Sequence, residues 1–374
     1  MNDPTPHNKT EQSAIFGEQS TNASNHNDDS ESFKPLILSL FCGCGGLDLG
    51  FEQVGFEIGL AYDLRAPAVA SHNSVRKTQN AYVRDVSKLS LCDFDRDFGK
   101  YFSPRGVIGG PPCQSFSRGN SSKCVDDPRR MMVEKFFDHA LLLHRKRSEL
   151  DFIVMENVPE VAKADGGQLL GREIKRLEMA GFDVHVDIYN AANFGVAQRR
   201  RRIILVALNK SRLASSWVPP QLCPSMPTVR DAIFGLPDPV YFNKSKGLEH
   251  FPVHPNHWCM TPKSPKFSNA NLTPGRSTGR SFKTLGWDKP SYTVSYGHRE
   301  VHVHPNCSRR LSVYEAMLLQ GFPKDFVLQG TLSAQFSQVS EAVPPPLARA
   351  IAKSISSSIY PINWASNSSS ASAE

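Results

Sequence analysis

The sequence predicts an α/β fold: a mostly parallel sheet covered on both faces by helices, with a smaller, irregular second domain. Three observations predict it. From about residue 35 to 208, short apolar runs alternate with stretches of helical periodicity. At about 210 that texture gives way to prolines, serines and isolated aromatics, as in VPPQLCPSMP and HPNHWCMTPKSPKF. Near 311 the periodic pattern resumes. A parallel sheet buried on both faces has strands that read as continuous apolar runs, joined by helices.

Taken in order, residues 1–33 are rich in Asn, Ser, Thr, Asp and Glu and poor in apolar side chains, the composition of a disordered tail. PLILSLF (35–41) predicts a buried strand, and GGLDLGFEQVGF the helix that follows it. EIGLAYD (57–63) predicts a second strand and RGVIGG (105–110) a short apolar one. Residues 129–149 predict a helix, and DFIVMENV (151–158) and RIILVAL (202–208) further strands. LSVYEAMLLQGFP (311–323) restores periodic structure. PPPLARAIAKSISSSI (344–359) predicts a last helix whose prolines stand at its start, where their missing N–H is tolerated. The first domain is therefore expected over 34–210, completed by 309–360, and the second over 211–308. Residues 361–374 are expected to form a second disordered tail, and no internal repeat is present.

The bulk properties narrow the function classes. With 374 residues, 40% of them hydrophobic and 21% charged, the chain has ample core for a soluble protein. No apolar run approaches the ~20 residues of a membrane helix, and the polar N-terminus predicts no signal peptide. The eight cysteines form no C-x-x-C pair, which predicts free thiols in the cytoplasm. Net charge is +7 but uneven. Residues 1–34 balance at −4, whereas 210–310 hold fourteen Lys/Arg against five Asp/Glu, or +9. A basic segment of that weight predicts a polyanion partner, although a solvated basic surface has the same composition.

Three motifs carry chemistry. LFCGCGGLDLG (40–50) follows the first strand. Its glycines let a ligand approach the backbone, and the next helix presents free N–H groups. The spacing G-x-G-G is not the dinucleotide fingerprint, which disfavours NAD. Asp63 ends the second strand, where an acid can hold ribose hydroxyls, and Asp85 stands where a third strand would end. Such strand ends converge on one nucleoside-sized site. GGPPCQSFS (109–117) fixes Cys113 from behind with Pro111 and Pro112, while QSFSRGNSSKC ahead of it can close as a lid. A thiol of pKa ~8.5 needs help to become a nucleophile. ENV (156–158) brings Glu156 to the same edge, where a carboxyl can hold a protonated ring nitrogen of the substrate that the thiol attacks. In QRRRRIILVAL (198–208), Arg200 and Arg202 share one face of the entering strand, and Arg199 and Arg201 share the other.

With these residues assembled, the chain resembles a DNA (cytosine-5)-methyltransferase of the bacterial restriction-modification type. FCGCGG, GGPPCQSFS, ENV, QRRRR, RRLSVYEAMLLQGFP and QVSEAVPPPLA occur in that family's order, covering about 35–208 and 309–355. The resemblance implies a Rossmann-like S-adenosylmethionine-dependent methyltransferase sheet with a target-recognition domain at 211–308. It implies that Phe41, Gly43, Gly45 and Gly46 line S-adenosylmethionine, with Asp63 on the ribose and Asp85 and Val86 at the adenine. Cys113 would attack C6 of a flipped-out cytosine, and Glu156 would bind N3 and the exocyclic amine. Arg200 and Arg202 would help hold the base, and Gln114, Ser117, Asn157 and Gln198 would contact the substrate. The implied partner is double-stranded DNA, with a cognate restriction endonuclease acting separately. A monomer in the bacterial cytoplasm, associated with the nucleoid, is expected.

The pattern has departures. Asp63 stands where the family usually has Glu, and Leu64 follows where an aromatic residue often does. Gln338-Val339-Ser340-Glu341 replaces Gln-x-Gly-Asn, adding a negative charge near the expected cofactor site. His254, His257 and Cys259, or His302, His304 and Cys307, lack a recognised zinc spacing, so no metal is expected. Cys42 and Cys44 read as small residues in a tight turn. Two alternatives remain open. One is an RNA (tRNA) cytosine-5 methyltransferase, although its Cys-Phe-Thr signature is absent. The other is a catalytically impaired DNA-binding regulator.

Overall fold

The computed structural model describes residues 34–112, 131–242, 253–267, 272–277, 282–293 and 301–360. The apolar run at the start forms strand β1 (Leu36–Leu40), and the glycine turn after it opens helix α1 (Gly46–Glu52). Strand β2 (Glu57–Asp63), helix α2 (Ala66–Ser74), strand β3 (Ala81–Val83) and helix α3 (Leu91–Phe98) follow. Next come β4 (Gly106–Gly109), α4 (Met131–Lys146), β5 (Phe152–Asn157), α5 (Gln168–Met179), β6 (Phe182–Asn190) and β7 (Arg201–Asn209).

These seven strands form one sheet in the order β3-β2-β1-β4-β5-β7-β6. The pairings from β3 to β5 are parallel, and β7 runs antiparallel to both β5 and β6. The order reverses between β1 and β4, and ligands of such sheets bind outside the carboxyl ends of the strands at that switch point.

The side chains of β1 explain why both faces are covered. Ile37 joins a buried cluster with Phe51, Leu347 and Ile351, whereas Leu38 and Leu40 join another with Phe136, Phe137, Leu141 and Leu177. Helix α1 and the last helix therefore lie on one face, and α4 and α5 on the other. A Cβ on Gly50 would lie 2.3 Å from the Ala348 Cβ, so a glycine lets the first helix seat directly on the last.

Beyond β7 the elements shrink. The described pieces before residue 312 include helix α6 (Val229–Ile233), the pair β8 (Val240–Tyr241) and β9 (Trp258–Cys259), and the pair β10 (Lys283–Thr284) and β11 (His302–Val303). Regular structure returns with α7 (Val313–Leu319), α8 (Leu332–Glu341) and α9 (Pro345–Ile359).

The expected strands at 35–41, 57–63, 105–110, 151–158 and 202–208 all form within a residue or so of their bounds, and the expected helices form at α1, α4, α7 and α9. Strand β6 was not expected. FDVHVDIYN alternates apolar and polar residues, most of them half-buried, because β6 is the sheet's edge. Strand β7 starts at Arg201, so Arg199 and Arg200 precede it, yet burial still alternates: Arg200 is buried and Arg202 half-buried, while Arg199 and Arg201 are exposed.

Candidate active site

The site forms along the carboxyl ends of β2, β1, β4 and β5. Directly after β1, Phe41 adopts φ 56°, a left-handed conformation uncommon for a side-chain-bearing residue and one that clusters at functional sites. The turn is closed by the Gly45 N–H donating to the Cys42 carbonyl at 2.9 Å. Its glycines serve different ends. A Cβ on Gly46 would lie 2.3 Å from the Val343 carbonyl oxygen, and one on Gly45 would meet His72 at 2.7 Å and Arg76 at 2.9 Å. Protein packing therefore demands glycine at both. On Gly43 a Cβ would meet Arg65 Nη2 at 3.9 Å and no other described atom within 4 Å. Gly43 thus presents the open backbone face that a ligand can approach.

Asp63, at the end of β2, braces this turn. Its Oδ2 accepts from the Gly43 N–H at 2.9 Å, and its Oδ1 from the Arg65 N–H at 2.9 Å and Arg65 Nε at 3.3 Å. Asp85 caps the 3₁₀ turn Val86–Lys88, its Oδ1 accepting from the Ser87 N–H and hydroxyl. The Ser87 hydroxyl holds the Asp85 carboxyl below the ordinary carboxylate value, so it stays ionised. Its other oxygen lies 3.7 Å from Lys88 Nζ and can take a further donor. Val86 is buried, and its carbonyl accepts from His139 Nε2 at 2.8 Å. Open backbone at Gly43, two acids at successive strand ends and a buried apolar residue beside them fit a nucleoside-bearing sulfonium donor.

On the other side of β1, Glu156 sits within β5, one residue before its end, and is 7% exposed. Its Oε1 pairs with Arg202 Nε at 2.8 Å. Its Oε2 lies 3.3 Å from where a Cβ of Gly110 would be, three residues before Cys113. Asn157 donates from Nδ2 to the Pro111 carbonyl at 3.2 Å, tying the approach to Cys113 onto β5. Cys113, Gln114 and Ser117 themselves lie outside the described residues, as does the expected lid.

Gln198 is fully buried and donates to Gln320 Oε1 at 3.2 Å. Gln320 in turn donates to the Val339 and Ala342 carbonyls, both at 2.7 Å. Arg200, also fully buried, donates from Nη1 to the Ser340 carbonyl at 2.7 Å and from Nη2 to the Glu341 carbonyl at 3.4 Å. Its described bonds hold the end of α8 against the sheet edge, while Arg202 meets Glu156. Of the predicted residues, the structure therefore brings Phe41, Gly43 and Asp63 together on one side of the switch point. It brings Glu156, Asn157 and Arg202 together on the other. Asp85 and Val86 stand beyond β3, and Gln198 and Arg200 secure the return of the chain.

Sequence reasoning missed several contributors. Arg65 pairs with both Asp63 and Glu341. Under the glycine turn, Asp48 accepts from Ser39 Oγ at 2.7 Å and pairs with His72 Nε2 at 2.8 Å, all three fully buried. Arg309 makes a doubled ion pair with Glu315, 2.9 Å to each oxygen, while Ser312 and Glu315 form a capping box. The S-x-x-E spacing of that box was readable in LSVYEAM. Cys42 and Cys44 are buried, and burial pushes both thiols up, that of Cys44 to about 12, which leaves them un-ionised at neutral pH. His254 stacks on Tyr314 at 4.2 Å, and His257 bridges Ser312 and the Pro237 carbonyl. Among the described residues no His/Cys/Asp/Glu group could hold a metal ion.

Comparison with known proteins accords with this arrangement. Residues 36–357 match the model of the C-5 cytosine-specific DNA methylase family. The type II methyltransferase M.FnuDI of Fusobacterium nucleatum is 31% identical over 346 residues, covering 85% of this chain and 93% of the relative. The type II methyltransferase M.NgoPII of Neisseria gonorrhoeae is 27% identical over 355 residues, covering 88% and 98%. Among solved structures, a DNA modification methyltransferase encoded within an E. coli prophage superposes with a TM-score of 0.69 at 24% identity, covering 86% of this chain and 98% of that one. The S. pombe Dnmt2 methyltransferase superposes at 0.58 with 15% identity and the same coverage. The last two establish a shared fold, that of the S-adenosylmethionine-dependent methyltransferases. The family match across nearly the whole sheet and its returning helices, joined to the identity with M.FnuDI, shows that the chain belongs to the C-5 cytosine-specific DNA methylase family.

Proposed function

We propose that this protein methylates C5 of a cytosine flipped out of a specific double-stranded DNA sequence, with S-adenosylmethionine as donor and Cys113 as covalent nucleophile. The observation that carries the reading is the placement of Glu156. It is buried at the strand-end edge, paired with Arg202 at 2.8 Å, and lies against Gly110 in the segment leading to Cys113.

The chemistry follows from what these groups can do. C5 of cytosine is a weak nucleophile. Addition of the Cys113 thiolate to C6, with a proton on N3 held by Glu156, moves an electron pair onto C5. Arg202 keeps Glu156 oriented, and Asn157 holds the Pro111 carbonyl, two residues before Cys113. When bound, the donor supplies an electrophilic methyl group on a sulfonium, which the activated C5 takes. Loss of the C5 proton then expels the Cys113 thiolate and restores the ring, so covalent catalysis divides one hard step into easier ones. Phe41, Gly43 and Asp63 would hold the donor, with Asp85 and Val86 at its adenine. The target carbon is shielded in a stacked duplex, so the base must leave the helix to reach this edge.

The basic segment 211–308, which lies within the +9 stretch 210–310, is assigned to DNA recognition on its charge and its place between the motifs. The relatives' designation as type II methyltransferases supports a separately acting cognate endonuclease. A monomer acting on DNA in the cytoplasm is the corresponding cellular form.

Trapping tests the mechanism. DNA carrying 5-fluorocytosine at the target retains fluorine where the proton must leave, so the wild-type protein forms a stable covalent complex. Cys113→Ala abolishes both the complex and turnover. A covalent complex formed by that variant would remove Cys113 from its role. The target itself is found by expression in a host lacking cytosine methylation, followed by bisulfite mapping.

A further inference from the structure

One contact at the candidate donor site is explained neither by the fold nor by the chemistry above. Arg65 Nη1 pairs with Glu341 Oε2 across 276 residues of sequence, joining the end of β2 to the end of α8. Resting on the methyl-transfer reading, we propose that Arg65 and Glu341 form a paired-charge seat for the amino-acid end of the methyl donor. Glu341 takes its ammonium group and Arg65 its carboxylate.

Position is the first argument. A sulfonium donor has three arms. Its nucleoside is expected at Asp63 and Asp85, beyond β2 and β3. Its methyl must face the other side of the switch point, where Glu156 and the segment leading to Cys113 lie. The third arm then runs over the glycine turn between them. The open face there is at Gly43, and the side chain overlooking it is Arg65, whose Nη2 lies 3.9 Å from the position of a Gly43 Cβ.

Aim is the second. The Arg65 guanidinium is held from behind by Asp63, which takes Nε at 3.3 Å. Its Nη groups therefore face forward, and a guanidinium has five donors to share. Glu341 is fixed through its backbone, since the fully buried Arg200 donates to its carbonyl and to that of Ser340. Both charged groups thus stand on anchored stems.

Chemistry is the third. The donor's amino-acid end is a zwitterion, and the seat offers one charge of each sign side by side. The side chains are 40% and 39% exposed, and an ion pair that open to solvent is weak. It can exchange partners at little cost, and each half then makes a charge-assisted bond to the ligand. The negative charge that Glu341 adds to the family's usual sequence is matched by Arg65, so it serves the donor instead of opposing it.

Calorimetric titration of the full-length protein tests this with two thioethers that differ at the amino-acid end. S-adenosylhomocysteine has that end, and 5′-methylthioadenosine lacks it. Arg65→Gln and Glu341→Gln should each weaken S-adenosylhomocysteine about tenfold or more while changing 5′-methylthioadenosine by less than about twofold. A deaminated homocysteine analogue assigns the two ends, because E341Q should not affect it whereas R65Q should still weaken it. Melting curves keep folding separate from binding, and both positions are exposed enough to tolerate glutamine. If both variants bind both thioethers as the wild type does, or weaken both equally, the pair is only a brace between β2 and α8 and the seat is wrong. If the wild type binds neither thioether, the donor reading fails, and the seat fails with it.

Discussion

The sheet and the stretch between β7 and α7 are built on different principles. The sheet is held by two large apolar clusters, one on each face, in which side chains such as Phe136, Ile153 and Leu347 are fully buried. Among its described residues, the stretch over 213–312 has a small apolar cluster around Val229, Ile233 and Leu285, lends Phe242 and Trp258 to the cluster around α7 and α8, and is further pinned by individual polar and aromatic contacts. His257 bridges Ser312 and Pro237, His254 stacks on Tyr314, and Arg309 reaches both Glu315 and Asp238. Three of these land on α7 or its cap, so one short helix fastens the irregular stretch. The lesson concerns tolerance. A close-packed core resists any change of volume, whereas loops fastened at a few points can change between their anchors.

The largest expected effect follows directly. Exchanging about 212–305 for the same region of a relative with another target should yield an active enzyme with the relative's specificity, read by bisulfite mapping. A chimera that is active on the original target would move recognition to the sheet. Next, Arg309→Met should cost about 3–5 kcal/mol in chemical denaturation, because it strands the buried Glu315 carboxylate. The double change R309M/E315L should recover most of that loss, since apolar replacement of a whole buried pair is often neutral. If the single variant loses nothing, the polar anchoring of this stretch is not what holds it.

pH separates the regions by sign. Glu173, on α5 against the sheet, is buried, and burial lifts its carboxyl to about 7 despite the pairing with Arg176. The folded form then binds the proton more tightly than the unfolded chain, so stability falls as pH rises from about 4.5 towards 7. His254, in the irregular stretch, is pushed down to about 4, by burial first and by His257 second. Here the unfolded chain binds the proton more tightly, so stability falls as pH drops from about 6.5 towards 4. Each slope is at most about 1.4 kcal/mol per pH unit. Denaturation midpoints followed across this range should lose the first slope in Glu173→Gln and the second in His254→Phe. The smallest effect belongs to the sheet: Ile153→Val, in the middle of β5, should cost about 0.5–1.5 kcal/mol by melting.

The same contrast decides what could be read from sequence. β1, β2, β4, β5 and β7 are legible because strands buried on both faces are unbroken apolar runs. Glu156 and Asp63 are legible because an acid at such a strand's end faces the ligand edge. Strand β6 is not, since Asp183, His185, Asp187 and Tyr189 alternate with its apolar residues and leave no unbroken apolar run. Arg65 was invisible for a different reason: its partner Glu341 is 276 residues away, and no local pattern encodes such a pairing. The roles of Gly45 and Gly46 were also hidden. A glycine needed for His72 or for the Val343 carbonyl looks the same in sequence as one needed for a ligand.

The seating of α9 against α1 has a consequence for how the protein is made. Gly50 and Ala348 are in contact but are separated by almost the whole chain. At a synthesis rate of about 5–20 residues per second, roughly 15–60 s pass between the emergence of one and of the other. Through that interval Phe51 and its apolar neighbours on that face lack the helix that covers them in the finished molecule. Contacts so distant in sequence also form slowly once both partners exist. A ribosome that stops before residue 343 releases a chain whose first helix lacks α9 and whose glycine turn lacks the Val343 carbonyl it packs against. Modification of the genome thus waits for the last helix, and an unfinished copy is a substrate for chaperones and proteases before it is an enzyme.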